Sequence, residues 1–155
     1  MGANSKIEWT HHTFNPWTGC QKVSAGCTNC YAESWAKRSG VVKWGANGTR
    51  RKTSKSNWQQ PIKWNREAQE AGERRRVFCA SLADVFEDRD DLVLWRHDLF
   101  DLIEETPHLD WLLLTKRPED AWLYLTGMYA GDAPLPNVWL GTSVEDQQRA
   151  EERIP

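Results

Sequence analysis

Residues 110–115, Asp-Trp-Leu-Leu-Leu-Thr, form an apolar run whose length and composition are typical of a buried strand. Similar runs occur on either side of it, and a helical pattern follows each run. The predicted strands cover residues 77–81, 110–115 and 137–142, and the predicted helices cover residues 92–105, 119–125 and 143–153. Apolar strands that alternate with helices indicate an α/β protein with a parallel sheet covered by its helices.

The first half of the chain has weaker patterns. A further strand is predicted near residues 10–16 and a helix at residues 31–39. We expect one domain over residues 1–155, with residues 40–75 as a basic insertion. Three or four β/α units are too few to close a barrel, so the sheet is either open or part of a larger barrel. We expect that the sheet is part of a larger barrel and that this chain is an N-terminal fragment of a β/α barrel.

Composition bears on the class of protein. The formal net charge is −2, which gives no overall signature of a nucleic-acid-binding protein. No stretch approaches the roughly 18–20 apolar residues that a membrane-spanning helix needs. The N-terminal residues lack the apolar core of a signal peptide, which predicts a cytoplasmic location.

Three of the four cysteines share one short segment, with the spacing Cys-x6-Cys-x2-Cys. They are Cys20, Cys27 and Cys30, and Gly19 and Gly26 allow the tight turns that a metal-binding loop needs. Clustered thiolates bind zinc, copper(I) or an iron–sulfur cluster. We therefore predict a metal site on these three thiols.

Two kinds of metal centre are compatible with three cysteines. A structural zinc site needs four protein ligands, and His11 or His12 could supply the fourth. A [4Fe–4S] cluster held by three cysteines leaves one iron open to a substrate or cofactor. The cysteine loop follows the first predicted strand and leads into a helix, at the edge of the sheet where α/β proteins bind ligands. This position favours the cluster, with zinc as the alternative.

Polar residues follow each predicted strand at its carboxyl end. They are Ser81 and Asp84, then Thr115, Lys116 and Arg117, then Thr142 and Ser143 with Glu145. Because ligands bind at the carboxyl ends of the strands in barrels and in open α/β sheets, we predict that this set lines a cleft. The alternative is that Asp84 and Thr142 cap helices and that Lys116 and Arg117 belong to a solvated loop.

The stretch from Lys37 to Arg76 is rich in lysine and arginine, with Trp44, Trp58 and Trp64 interleaved. Proteins that hold single-stranded nucleic acid combine cations for the phosphates with aromatic rings for the bases, so nucleic acid is a candidate partner. The alternative is an exposed insertion whose charges serve only solvation.

A series of short motifs spans essentially the whole chain. In chain order they are KIEWT (6–10), FNPWTGC (14–20), KVS (22–24), GCTNCYAE (26–33), SLADVFE (81–87), LLLTKRP (112–118) and WLGTSVE (139–145). With these motifs the chain resembles the phage-associated three-Cys-motif proteins, an uncharacterised family with a domain of unknown function. That family in turn resembles the radical S-adenosylmethionine enzymes, which carry three cluster cysteines in the loop after the first strand of a partial β/α barrel.

The resemblance implies a fold, two cofactors and further site residues. It implies a radical-SAM-like partial TIM barrel in which Cys20, Cys27 and Cys30 hold a [4Fe–4S] cluster, with S-adenosylmethionine as the second cofactor. Tyr31 would shield the cluster or stack near the adenine, and Asn15 would join the cleft residues named above. The usual spacing in those enzymes is Cys-x3-Cys-x2-Cys, so the first arm is longer here.

Three classes of function remain open. The first is an iron–sulfur radical S-adenosylmethionine enzyme that acts on nucleic acid. The second is a nucleic-acid-binding module that zinc or a cluster stabilises and that has no catalytic activity. The third is a phage accessory or interaction protein.

Overall fold

The computed structural model describes residues 3–129 and 135–154. Its strands are β1 (His12–Thr13), β2 (Trp17–Thr18), β3 (Arg51–Lys52), β4 (Arg75–Cys79), β5 (Leu109–Thr115) and β6 (Val138–Thr142). Its α-helices are α1 (Tyr31–Ser39), α2 (Lys55–Trp58), α3 (Gln60–Ala71), α4 (Val93–Glu104), α5 (Pro118–Tyr129) and α6 (Gln147–Arg153). No helix in the described part is long and apolar enough to cross a membrane.

Four of the strands form one parallel sheet in the order β1-β4-β5-β6. One row of paired residues crosses it, from His12 through Val77 and Trp111 to Val138. β2 and β3 form a separate antiparallel pair. The α/β class with a parallel sheet is thus confirmed. Four parallel strands occur in open sheets and in barrels alike, so the partial barrel stays a prediction.

The core lies on one face of the central strand β5. Leu109, Trp111 and Leu113 are buried on this face, whereas Leu112 and Leu114 on the opposite face are partly exposed, as the two-residue period of a strand requires. The rings of Phe14 and Trp111 pack edge to face at 5.6 Å. The opposite face of β5 is therefore only partly covered, although parallel strands are commonly buried on both faces.

The predicted elements of the second half agree with the structure to within a few residues. β4 begins two residues before the predicted strand, and α4 occupies the predicted helix. α6 begins later than predicted because Asp146 caps it, with its side chain accepting a hydrogen bond from the Arg149 amide. In the first half, α1 has the predicted bounds, but the strand expected at residues 10–16 is only His12–Thr13.

Helix α3 lies within residues 40–75, for which the sequence analysis predicted a basic insertion and no helix. Pro61 stands in its first turn, and Gly72 ends it in the left-handed conformation at φ 65°. Trp64 and Ala68 are buried in the core, and the Trp64 ring stacks on His12 at 4.3 Å. The helix was missed because its buried stripe holds few large apolar residues among many charged ones.

A candidate metal centre at the carboxyl edge of the sheet

A cavity of about 860 Å³ opens at the carboxyl ends of β4 and β5. It is lined by the cysteine loop on one side and by residues that follow the strands on the other. Nine predicted site residues line it: Cys20, Cys27, Cys30, Tyr31, Ser81, Asp84, Thr115, Lys116 and Arg117. The carboxyl ends of parallel strands meet at one edge, which brings residues far apart in sequence to one cavity.

The cysteine loop begins at a backbone position that favours glycine. Gly19 has φ 115°, and its amide donates a hydrogen bond to the Leu82 carbonyl at 3.0 Å. A Cβ atom at this position would lie 2.7 Å from the Thr49 carbonyl oxygen. The loop then runs through a 3₁₀ turn at Ala25–Cys27 and ends at Cys30, the residue before α1. Gly19 therefore fixes where the first cysteine leaves the sheet.

The three thiols face one cavity without converging on a single point. Within residues 3–129 and 135–154, no group of three or more His, Cys, Asp or Glu side chains is placed so that it could hold a metal ion. The structure thus brings the three donors to one place but does not show an assembled metal site.

The two candidate histidine ligands make their contacts elsewhere. His11 Nδ1 accepts a hydrogen bond from the Arg76 amide at 2.9 Å, and His12 is buried against Trp64. Neither histidine is among the described residues that line the cavity. A Cys3His zinc site would require one of them to leave these contacts.

A buried ion pair forms the wall opposite the loop. The Asp84 carboxylate accepts hydrogen bonds from the Thr115 hydroxyl at 2.7 Å and the Lys116 amide at 3.2 Å. Arg117 Nη1 donates to Asp84 Oδ2 at 2.9 Å and lies 3.7 Å from Cys20 Sγ. Burial alone would lower the pKa of Arg117, but the charges of Asp84 and Cys20 raise it, so the guanidinium stays cationic.

The cysteines differ in how readily they form thiolates. Burial raises the pKa of Cys20 to about 11, against the opposing influence of Arg117. Burial also acts to raise the pKa of Cys27, but hydrogen bonds to the backbone at Val23 and Ser24 outweigh it, so this pKa is lowered. Cys27 therefore reaches the thiolate form more readily than Cys20 in the metal-free protein, and a metal that binds Cys20 must displace its proton.

Asn15 and Thr142 tie strand ends together and are not among the described cavity-lining residues. Asn15 donates to the Ser81 hydroxyl at 2.9 Å and accepts from the Leu82 amide at 2.8 Å. The Thr142 hydroxyl donates to the Thr115 carbonyl at 3.3 Å. Tyr31 lines the cavity, and its hydroxyl donates to the Ser81 carbonyl at 2.7 Å. These bonds fix the strand ends relative to the loop.

Glu145 reaches the cysteine loop from the end of β6. Its Oε1 accepts a hydrogen bond from the Gly26 amide at 3.3 Å, and its Oε2 accepts from Arg153 Nη1 at 2.8 Å. Arg153 also donates to the Ser143 carbonyl at 2.7 Å. The last turn of α6 therefore positions Glu145 against the loop. Arg153 was not predicted as a site residue, since a charged residue in a last helical turn carries no signal of such a contact.

Two tryptophans that the sequence analysis did not assign to this site also line the cavity. They are Trp9, which packs edge to face on Phe78 at 4.9 Å, and Trp44. Lys6, near the N-terminus, lies on the same wall. Their separation from the cysteines in sequence left no pattern that could have placed them here.

The basic stretch from Lys37 to Arg76 has much of its charge and aromatic surface engaged within the protein. Trp64 is buried and Trp58 packs against the core. Six of its cations lie within 4.0 Å of a carboxylate: Lys37, Arg50, Lys52, Lys63, Arg74 and Arg75. These contacts reduce the surface that could hold nucleic acid.

No curated protein and no solved structure matches the chain. One family model does match, over a range that includes every short motif quoted from the sequence. A phage origin and a radical S-adenosylmethionine relationship stay predictions. The matching model is described as "Protein of unknown function (DUF5131)" and covers residues 4–155, so the chain belongs to this family.

Proposed function

We propose that Cys20, Cys27 and Cys30 hold an iron–sulfur cluster and that the protein is an enzyme of the radical S-adenosylmethionine type. One observation carries the proposal: the three thiols line the same cavity as the polar residues at the carboxyl ends of β4 and β5. Sites of α/β enzymes lie at this edge. A purely structural zinc site has no need of such a cavity.

The donor set fits a three-thiolate cluster. Three soft ligands select iron–sulfur clusters or zinc, and Cys79 is fully buried in the core, where it is not available as a fourth. The long arm between Cys20 and Cys27 gives the loop enough chain to close around a cluster. Metal binding would draw the thiols together and so complete the folding of the loop.

A cluster held by Cys20, Cys27 and Cys30 would supply an open iron site for S-adenosylmethionine and the electron for reductive cleavage of its sulfonium bond. The chain supplies the surroundings. Tyr31, next to Cys30, has its hydroxyl held by the Ser81 carbonyl, so its ring flanks the cavity mouth. Lys116, on the cavity wall, is a cation suited to a carboxylate.

Anaerobic purification with iron and sulfide analysis tests the metal centre. We expect about four iron and four sulfide per chain. Cys20→Ala should lose this iron and sulfide, and the matched control Cys79→Ala should keep them. Reductive cleavage of S-adenosylmethionine by the reconstituted protein tests the chemistry. A colourless protein with stoichiometric zinc would overturn the proposal and favour the alternative, a metal-stabilised binding module without catalysis.

Nucleic acid is the substrate class we propose for this enzyme. A second cavity of about 510 Å³ is lined by Arg51 and by Lys52, which pairs with Asp98, together with the hydroxyl and amide side chains of Thr53, Ser54 and Asn57. Cations and hydroxyls of this kind bind phosphates. We expect a single-stranded oligonucleotide to bind in fluorescence anisotropy, more weakly at higher salt.

Two variants locate that binding. Arg51→Gln should weaken it several-fold, whereas Arg66→Gln, an equal charge change on the exposed face of α3, should have less effect. Equal losses in both variants would indicate nonspecific attraction and argue against a nucleic-acid site at this cavity.

A further inference from the structure

Arg117 is a buried cation that joins the sheet to the first arm of the cysteine loop. Its side chain is almost fully buried. Nη1 donates to Asp84 Oδ2 at 2.9 Å and lies 3.7 Å from Cys20 Sγ, and Nη2 donates to the Gln21 carbonyl at 3.1 Å. One guanidinium therefore contacts the carboxylate after β4 and two successive residues of the loop.

The guanidinium is held in place before any ligand binds. Asp84 is itself fixed by the Thr115 hydroxyl and the Lys116 amide, and the Arg117 amide donates to the Thr115 hydroxyl at 2.9 Å. A planar group with several donors can serve Asp84, Gln21 and Cys20 together, which a lysine ammonium on a flexible stem does less well.

We propose that Arg117, oriented by Asp84, is a positioning residue of the metal centre: it anchors the Cys20 arm and donates an N–H to the Cys20 sulfur. This inference rests on the proposed cluster. A longer arm adds freedom to the first cysteine, and the contacts at Cys20 and Gln21 remove that freedom.

A consequence for the electronic properties of the cluster follows. Hydrogen bonds to the sulfurs and nearby charge set the reduction potential of an iron–sulfur cluster. A cation beside a ligand sulfur stabilises the reduced state, which carries one more negative charge. Loss of Arg117 should therefore move the midpoint potential to a more negative value, an effect that a purely structural tie would not have.

Hydrogen exchange and redox titration test the two parts of the proposal. In metal-free Arg117→Gln we expect amides 19–24 to exchange several-fold faster than in the parent, and in the reconstituted variant a more negative midpoint potential. Arg117→Lys keeps the positive charge but has a flexible stem. Its midpoint potential should therefore stay close to that of the parent, whereas its loop amides should exchange faster than those of the parent. The matched control is Lys22→Gln, which removes an exposed cation of the same loop that pairs with Glu33; both of its readouts should equal those of the parent.

The outcomes separate this inference from the proposed function. A parent that takes up no iron and sulfide would sink the proposed function and, with it, the role in a cluster. The inference would be overturned if Arg117→Gln had the amide exchange rates and the midpoint potential of the parent. It would also be overturned if the amides exchanged faster but the midpoint potential did not change. If circular dichroism shows that Arg117→Gln is unfolded, the double variant Asp84→Asn/Arg117→Gln takes its place. The double variant has no buried carboxylate without a partner cation, and the same outcomes for exchange and potential apply to it.

Discussion

At the scale of single residues, His12 shows how burial changes the behaviour of an ionisable group. Its ring stacks on Trp64 and is almost fully buried, and neither ring nitrogen has a hydrogen-bond partner among the described residues. Burial, together with the charges of Arg75 and His11, lowers the pKa of His12 to about 4. In this structure the imidazole therefore serves as a flat packing surface that stays neutral at neutral pH.

His12 should make the protein less stable in mild acid. The unfolded chain binds a proton at this residue below about pH 6.5, whereas the folded chain stays neutral down to about pH 4, so this loss of stability builds up as the pH falls from 6.5 to 4. Between pH 7 and pH 5 we expect a loss of roughly 2 kcal/mol. Urea unfolding at both pH values measures it.

His12→Phe should abolish most of this difference, because the substituted ring keeps the stacking area and cannot take up a proton. The exposed His97, replaced by glutamine, is the control and should leave the difference in place. An unchanged pH dependence in His12→Phe would contradict the assignment.

At the scale of elements, the cysteine loop is held by groups from the ends of three strands. Arg117 and Asp84 hold its first part, and Glu145, fixed by Arg153, holds the Gly26 amide. The loop itself contains only one 3₁₀ turn. Its shape in the metal-free protein therefore depends on these contacts more than on its own secondary structure.

Gly26→Ala should disturb this arrangement. A Cβ atom at Gly26 would lie 2.7 Å from the Glu145 carboxyl carbon, and Arg153 restrains that side chain from moving aside. We expect lower iron retention after a chelator challenge, by several-fold, with little change in thermal stability. Gly127→Ala, inside α5, is the control for iron retention, because no atom lies within 4 Å of the added Cβ and the backbone there is helical. Equal retention in both variants would show that Glu145 does not restrain the loop.

The sequence predicted the strands and the cavity better than it predicted the contacts behind them. β4, β5 and β6 are short apolar runs, and the rule that parallel strands end at a common edge was enough to bring Ser81, Asp84 and Arg117 together. The buried pair of Arg50 and Glu87 left no such signal, because the two residues are 37 positions apart and charged residues are seldom fully buried.

At the scale of the whole molecule, the basic stretch is joined to the core through α3. Trp64 and Ala68 pack with the sheet, and Asn65 accepts a hydrogen bond from the His108 amide at 2.8 Å. Trp64 and Ala68 of this stretch thus belong to the same hydrophobic core as the parallel sheet. We expect its helix to unfold together with the sheet.

Trp64→Ala tests that expectation. Removing a fully buried tryptophan should cost about 3–5 kcal/mol and lower the single unfolding midpoint of the whole chain. Trp122→Ala is the control, because Trp122 is 68% exposed and should change stability by less than about 1 kcal/mol. An unchanged main transition in Trp64→Ala would mean that residues 40–75 fold independently.

The anchors of the cysteine loop also bear on the order of events during synthesis. Arg117 lies 97 residues after Cys20, and Glu145 lies 119 residues after Gly26. While the ribosome is still making the second half of the chain, the cysteines have already emerged without the groups that hold their loop. For the cluster that we propose, iron would therefore reach a shaped site only late, after synthesis of the second half, and until then the nascent thiols would be open to oxidation and to competing metals.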